Sequence, residues 1–99
     1  TTNRVQLSGE ILSIQPIRYT PAGLPVTEAS LGHHSEQQEA GLKRQVTCEV
    51  SVKALGNLAH QLAAAQTGTR LTATGFLAAK SLKSRQLILH LESIEFQET

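Results

Sequence analysis

Arg44-Gln45-Val46-Thr47-Cys48-Glu49-Val50-Ser51-Val52 and, shortly after it, Ala54-Leu55-Gly56-Asn57-Leu58-Ala59-His60-Gln61-Leu62-Ala63-Ala64-Ala65-Gln66 mark the point where the chain changes period. In the first stretch Val46, Cys48, Val50 and Val52 alternate with polar residues, the pattern of a half-buried strand, so Thr47 and Glu49 are expected to face outward. In the second, Leu55, Leu58, Ala59 and Leu62 fall at i, i+3, i+4 and i+7 of an Ala-rich segment, which predicts one amphipathic helix over 54–66 ended by Gly68. From Thr69 to Ala78 the alternation returns, with Leu71, Ala73, Gly75 and Leu77 opposing Thr72, Thr74 and Phe76. The chain therefore sets a single helix between two strands.

Working outward, Arg4 to Ile11 alternates, and Leu12 and Ile14 continue in the opposite phase. That slip beside Gly9 predicts a bulge or sharp bend. Residues 15–25 hold all three prolines and the turn-forming tetrad Thr20-Pro21-Ala22-Gly23, and read as a long shaped loop. Val26 to His34 is a weaker strand with Ala29, Leu31 and His33 on one face; Ser35 to Leu42 is polar and reads as an exposed loop. Beyond the fourth strand, Leu87, Leu89 and Leu91 form a fifth, followed by a second slip to Ile94 and Phe96. Three strands, a helix, then two strands, with bends in the first and last, is the order of a five-stranded OB-fold barrel. The chain is thus expected to be all-β, one domain over residues 1–99. Such barrels bind single strands across their second and third strands and the loops joining strands one to two and four to five, here 15–25 and 79–86.

The residues between the last two strands, Lys80-Ser81-Leu82-Lys83-Ser84-Arg85, carry three of the nine cations and no carboxylate. A cationic hairpin tip in that loop is suited to gripping phosphates. The net charge of +1 gives no such evidence by itself, so the case rests on placement. Lys43-Arg44 forms a second basic spot entering a strand on the binding side, suited equally to nucleic-acid contact and to plain solubility, whereas Glu92, Glu95 and Glu98 make the end acidic. Arg18-Tyr19 in the first long loop offers a cation beside a stacking ring, or a ring packed on its own prolines. Of the two neighbouring histidines, His33 shares the apolar phase with Leu31, and His34 points outward and is the candidate for nucleic-acid contact. Phe76 is in the outward phase, either as an exposed ring or, since barrel strands often have both faces covered, as a core or dimer contact.

With Tyr19, Phe76 and Phe96 the only aromatics and no Trp or Met, a small core of Leu, Val, Ile and Ala calls for help from self-association. The absence of Asp, of a phosphate-cradling glycine motif and of a nucleophile elbow argues against an enzyme. His33, His34, Cys48 and His60 lack the close paired spacing of a zinc site, so no metal or cofactor is expected, and Cys48 reads as a buried, inert thiol. No signal peptide and no apolar run near twenty residues is visible, so the chain reads as soluble and cytoplasmic, with no membrane partner.

Four segments, Asn3-Arg4-Val5-Gln6-Leu7-Ser8-Gly9, Thr20-Pro21-Ala22-Gly23-Leu24-Pro25, Glu39-Ala40-Gly41-Leu42-Lys43-Arg44-Gln45 and Gly68-Thr69-Arg70-Leu71-Thr72-Ala73-Thr74-Gly75-Phe76, closely resemble the primosomal replication protein N family of single-strand-binding-like proteins, with the spacing between them kept. The resemblance implies a homodimeric OB-fold that binds single-stranded DNA without sequence preference and assists the primosomal restart helicase during bacterial replication restart. It also implies a basic first-loop position at Arg18 and a lysine-rich four-to-five loop at Lys80, Lys83 and Arg85. The chain departs from the family pattern in having Leu42 and Thr47 where members have aromatic rings, and His34 where they have a basic residue. Affinity resting on phosphates more than on stacking is the expected consequence. Two alternatives stay open: an OB module that acts mainly on the helicase and binds DNA weakly, and a small RNA-binding OB translation factor.

Overall fold

The computed structural model describes residues 1–97; Glu98, part of the acidic end, lies outside the described residues. The strands are β1 (Val5–Ile14), β2 (Arg18–Tyr19), β3 (Pro25–Glu39), β4 (Leu42–Leu55), β5 (Arg70–Ala79) and β6 (Leu87–Phe96), with helix α1 (Asn57–Ala64) between β4 and β5. The five long strands form the OB barrel, and β2 is a two-residue strand inside the first long loop, paired with Val26 and Pro25.

Closure depends on β1 serving two neighbours. Residues 5–10 pair with β5 and residues 10–14 with β3, and the register slips between Ile11 and Ser13. The expected bend is thus a bulge at Leu12, three residues beyond Gly9. Gly9 has a different role, the close approach of two backbones: a Cβ there would lie 2.9 Å from the Gly32 carbonyl oxygen of β3. The other seam is a short parallel contact, Val52 and Lys53 of β4 against Leu89 and His90 of β6. The second slip is also present, between Thr74 and Gly75, where β5 folds tightly against β6. A Cβ at Gly75 would land on the carbonyl oxygen of His90. Only glycine fits there.

Ile11, Leu31, Val52, Leu71, Leu89 and Leu91 form the buried interior, and Ala59 and Leu62 of α1 plug one end. Thr27, fully buried, donates its hydroxyl to the Ala59 carbonyl at 2.8 Å and so ties β3 to the helix without an unpaired polar atom. The helix is shorter than its periodicity predicts. Ala54 and Leu55 still pair with Thr27 and Val26, and Gly56 at φ +71° makes the turn into α1. The helical phase of Leu55 coincides with the strand phase there, so period alone could not place the boundary.

The segment 35–42, read as a loop, is mostly strand. β3 and β4 pair continuously from Val26 opposite Leu55 to Glu39 opposite Leu42, and only Ala40 and Gly41, at φ +53° and +79°, make the turn. Positive φ at both central residues is the hairpin turn that matches strand twist, and it accepts Gly far more readily than Ala. The hairpin projects beyond the barrel as an arm. The radius of gyration is accordingly 14.3 Å, with a longest dimension of 50 Å, against about 13 Å for a compact chain of this length. Cys48 lies on this arm, opposite His33, and is exposed, not buried. Its phase faces inward as expected, but the barrel wall that would cover it stops at Leu31 and Val50.

Replacing Gly75 by Ala should destabilise the protein by at least about 1–3 kcal/mol, the range for overpacking, measured by urea denaturation. A variant as stable as the parent would contradict the tight β5–β6 approach.

Candidate nucleic-acid interface

The outer face of β3 and β4 presents Glu28, Ser30 and His34 beside Lys53, Ser51 and Thr47, their cross-strand partners. Two loops reach it. A shallow groove is lined by Ser13 at the end of β1 and Gln15 at the start of the first long loop, by Glu28, Ser30 and Ser51 on the sheet, and by Lys80 at the start of the β5–β6 loop. Lys80 also borders a second depression with Glu49, Ser51, Gln86 and Leu87, where β4 and β6 diverge. The fold therefore brings together residues as distant along the chain as Ser13 and Lys80 to form one polar floor with a cation at its rim.

The tip 80–85 is held by its backbone. The Lys80 amide donates to the Gln86 carbonyl at 2.8 Å, and the Ser84 amide to the Ser81 carbonyl at 3.2 Å. Lys80, Lys83 and Arg85 are exposed, and among the described residues none of them pairs with a carboxylate. Leu82 at the apex is fully exposed.

The other sequence-chosen cations stand differently. Arg18 Nη2 meets Glu28 Oε2 at 2.8 Å, Arg44 Nη1 meets Glu39 Oε2 at 2.9 Å, and Lys43 Nζ lies 3.8 Å from Glu36 Oε1. The last two are diagonal pairs across the arm, created by the hairpin register. Being exposed, each contributes no more than about 1 kcal/mol. They are weak enough to exchange for a phosphate, yet they lower the positive field of the surface. Lys43 and Arg44 also part company: Lys43 shares the outer face with His34 and Thr47, whereas Arg44 lies on the opposite face of the arm with Val46 and Cys48.

Tyr19 is 60% exposed, so its ring is not packed away among the loop prolines, and it sits beside Arg18 on β2. His34 is exposed and its Nδ1 is 3.2 Å from the Thr47 hydroxyl, its cross-strand neighbour. His33 is structural. Its Nδ1 donates to the Ser8 carbonyl of β1 at 2.7 Å, which leaves Nε2 to accept from Ser35 Oγ at 2.7 Å and so anchors the root of the arm to β1. Leu42 is 72% exposed beside the arm's turn.

Sequence reasoning left two site features unassigned. Phe76 faces outward and stacks on His90, and Lys53 stands opposite His90. Burial, reinforced by the Lys53 ammonium and partly offset by the Glu28 carboxylate, holds the His90 imidazole below its usual pKa. The sequence signal was the shared outward phase of Phe76 and His90 on consecutive strands, but without the β5–β6 register it could not be used.

A family model described as "Another single-strand binding protein family" matches residues 3–93. The replication restart protein PriB of Photorhabdus laumondii is 42% identical over 98 residues, covering 96% of this chain and 93% of that protein. The chain belongs to the PriB family. Its barrel is similar to that of the solved PriB structure from Ralstonia solanacearum, with a TM-score of 0.90, 32% identity and coverage of 99% of this chain and 100% of that one. The single-stranded DNA binding protein of Thermus aquaticus gives a TM-score of 0.79 at 25% identity over 98% of this chain and 50% of its own. PriB relatives thus match the whole barrel, including both loops that border the groove.

His90 should titrate below the 6.5 of a free imidazole. Because the native ring binds its proton less tightly than the unfolded one, its contribution to stability is fully present above pH 6.5 and declines as pH falls from there to its native pKa. A ¹H–¹³C titration of the imidazole protons checks this; a midpoint at or above 6.5 would contradict the burial and the Lys53 neighbour.

Proposed function

We propose that this chain binds single-stranded DNA along the groove between the first long loop and the 80–85 tip, without sequence preference, as an accessory factor in replication restart. The observation that carries this reading is the groove itself. Lys80 and Gln15 line it together with Ser30 and Ser51, and Lys83 and Arg85, which like Lys80 pair with no carboxylate among the described residues, follow on the same loop. Membership of a family whose relatives are replication restart proteins supports the biological setting.

Binding on this reading is phosphate-led. The three tip cations engage the backbone directly, whereas Arg18, Lys43 and Arg44 must trade a carboxylate for a phosphate. His34 and Tyr19 add polar and stacking contacts. Phosphates brought near the carboxylates of Glu28, Glu36 and Glu39 also meet like-charge repulsion, which keeps affinity modest. A homodimer acting with the restart helicase, and the chain serving as one OB domain, complete the proposal. The first is favoured by the exposed Leu12, Leu24, Leu87 and Phe96 on so small a barrel.

A second reading has an observation of its own. The arm's alternating charges, Glu36, Glu39, Lys43 and Arg44, are self-paired and project beyond the barrel, which suits contact with a protein such as the helicase as well as with DNA.

Fluorescence anisotropy with labelled single-stranded DNA, duplex DNA and RNA separates these readings. Single-stranded DNA should bind best, and affinity should fall with salt. Changing Lys80, Lys83 and Arg85 together to Ala should reduce the salt slope by about 2, at about 0.7 per neutralised phosphate. Equal affinity for duplex, or an unchanged slope, would contradict the groove.

Glu28→Gln should release Arg18 and tighten binding of the same oligomer by no more than about fivefold, the limit set by an exposed pair. Weaker binding in that variant would show that the Arg18–Glu28 pair orients Arg18 toward DNA and does not compete with it.

A further inference from the structure

Phe76 on β5 is 37% exposed, although large apolar rings are the scarcest resource of this chain. It lies parallel to the His90 imidazole on β6, ring centroids 5.1 Å apart and planes 10° from parallel. The two are register partners. His90 is in turn opposite Lys53 on β4, and Lys53 is opposite Glu28 on β3, whose carboxylate holds Arg18. One row of side chains therefore crosses the outside of the barrel from β5 to the first loop. At the β1 end, Val5 stands across from Gly75 and Gln6 across from Thr74, and continuing that register by one residue sets Arg4 across from Phe76. Asn3 fastens this segment: its Nδ2 donates to the Leu77 carbonyl at 2.8 Å and its Oδ1 accepts from the Leu77 amide at 2.9 Å. The stacked pair is thus flanked by a cation on each side.

We infer that the Phe76–His90 pair is a nucleobase-stacking platform for single-stranded DNA, with Lys53 and Arg4 taking the adjoining phosphates. The inference rests on the groove reading and extends it around the barrel. Two rings already held parallel present a flat π-face that a base can continue at ordinary stacking distance, and stacking of this kind is indifferent to which base arrives. The platform is also continuous with the groove. Ser51, on the groove floor, and Lys53 are successive outward residues of β4, so a strand leaving Lys80 meets Lys53 and then the rings. This is the one stacked ring pair among the described residues. With Leu42 and Thr47 lacking rings, it is where base stacking can be recovered. Burial and Lys53 hold the imidazole below its usual pKa, partly offset by Glu28, which favours the neutral ring for stacking.

The full chain is titrated with oligothymidylate while the Phe76 and His90 ring protons are followed by ¹H–¹³C NMR, and anisotropy is measured for the parent, Phe76→Leu and Phe76→Tyr. The platform predicts upfield ring-current shifts of both rings. It also predicts about fivefold weaker binding by Phe76→Leu with an unchanged salt slope, parent-like binding by Phe76→Tyr, and a slope about 0.7 smaller in Lys53→Ala. Should Phe76→Leu fail to fold, the ring shifts of the parent and the Tyr variant decide alone. If the oligomer binds but the ring protons do not move and the folded Leu variant binds normally, the platform is overturned and the groove stands. Ring signals that move on dilution and not on adding DNA would make this face a contact between copies and overturn it too. No binding by the parent would overturn the groove and the platform together.

Discussion

Backbone hydrogen bonds of β1 must be shared between β5 and β3, and everything else in the barrel follows from how ten residues manage this. Val5 to Glu10 run along β5, Leu12 is bulged out, and the remainder runs along β3. The switch requires backbones to approach more closely than side chains allow, hence Gly9 against the Gly32 carbonyl. Gly75 solves the same problem at the β5–β6 turn of the barrel wall. Because β1 leaves β3 after Gly32, nothing covers β3 and β4 further out, and their continuation becomes a free arm.

That arm explains why the surface carries both signs of charge. Within the barrel the inward face of β4 is apolar, but beyond Val50 it must be soluble on both sides. Its cations and carboxylates pair across the hairpin, which neutralises the region that the neighbouring groove would use for DNA. The 80–85 tip, by contrast, carries three cations without a carboxylate partner among the described residues, and the first of them, Lys80, borders a floor that includes Ser30 and Ser51. On this arrangement electrostatic attraction is local, and the near-zero net charge of the chain does not oppose it.

Much of the fold was legible because most strands have one dry face. Val50, Val52, Leu71, Ala73, Leu89 and Leu91 announce themselves by alternation, and both phase slips marked real irregularities, the first displaced from Gly9 to Leu12 and the second at Glu92, between Leu91 and Ile94 as expected. What was not legible lay where burial no longer sorts residues. Ser35 to Glu39 is strand with two wet faces, indistinguishable by period from a loop, and Cys48 has the inward phase at a level where the barrel wall has ended. Helix and strand periods coincide at Leu55. For the site, the loops and the tip cations could be read from order and composition. The carboxylate partners of Arg18, Lys43 and Arg44, and the meeting of Phe76 with His90 and Lys53, depend on cross-strand register, which one sequence does not reveal.

The claim on which the account turns is that one outer face, bounded by the first long loop and the 80–85 tip, receives the strand. Amide hydrogen exchange of the full chain with and without saturating oligothymidylate tests it most directly. Slowed exchange in residues 80–86 and around Arg18, with β1 and the first half of β5 unchanged, is the predicted result. Protection confined to β1 and the first half of β5, with the 80–86 loop exchanging as before, would contradict it.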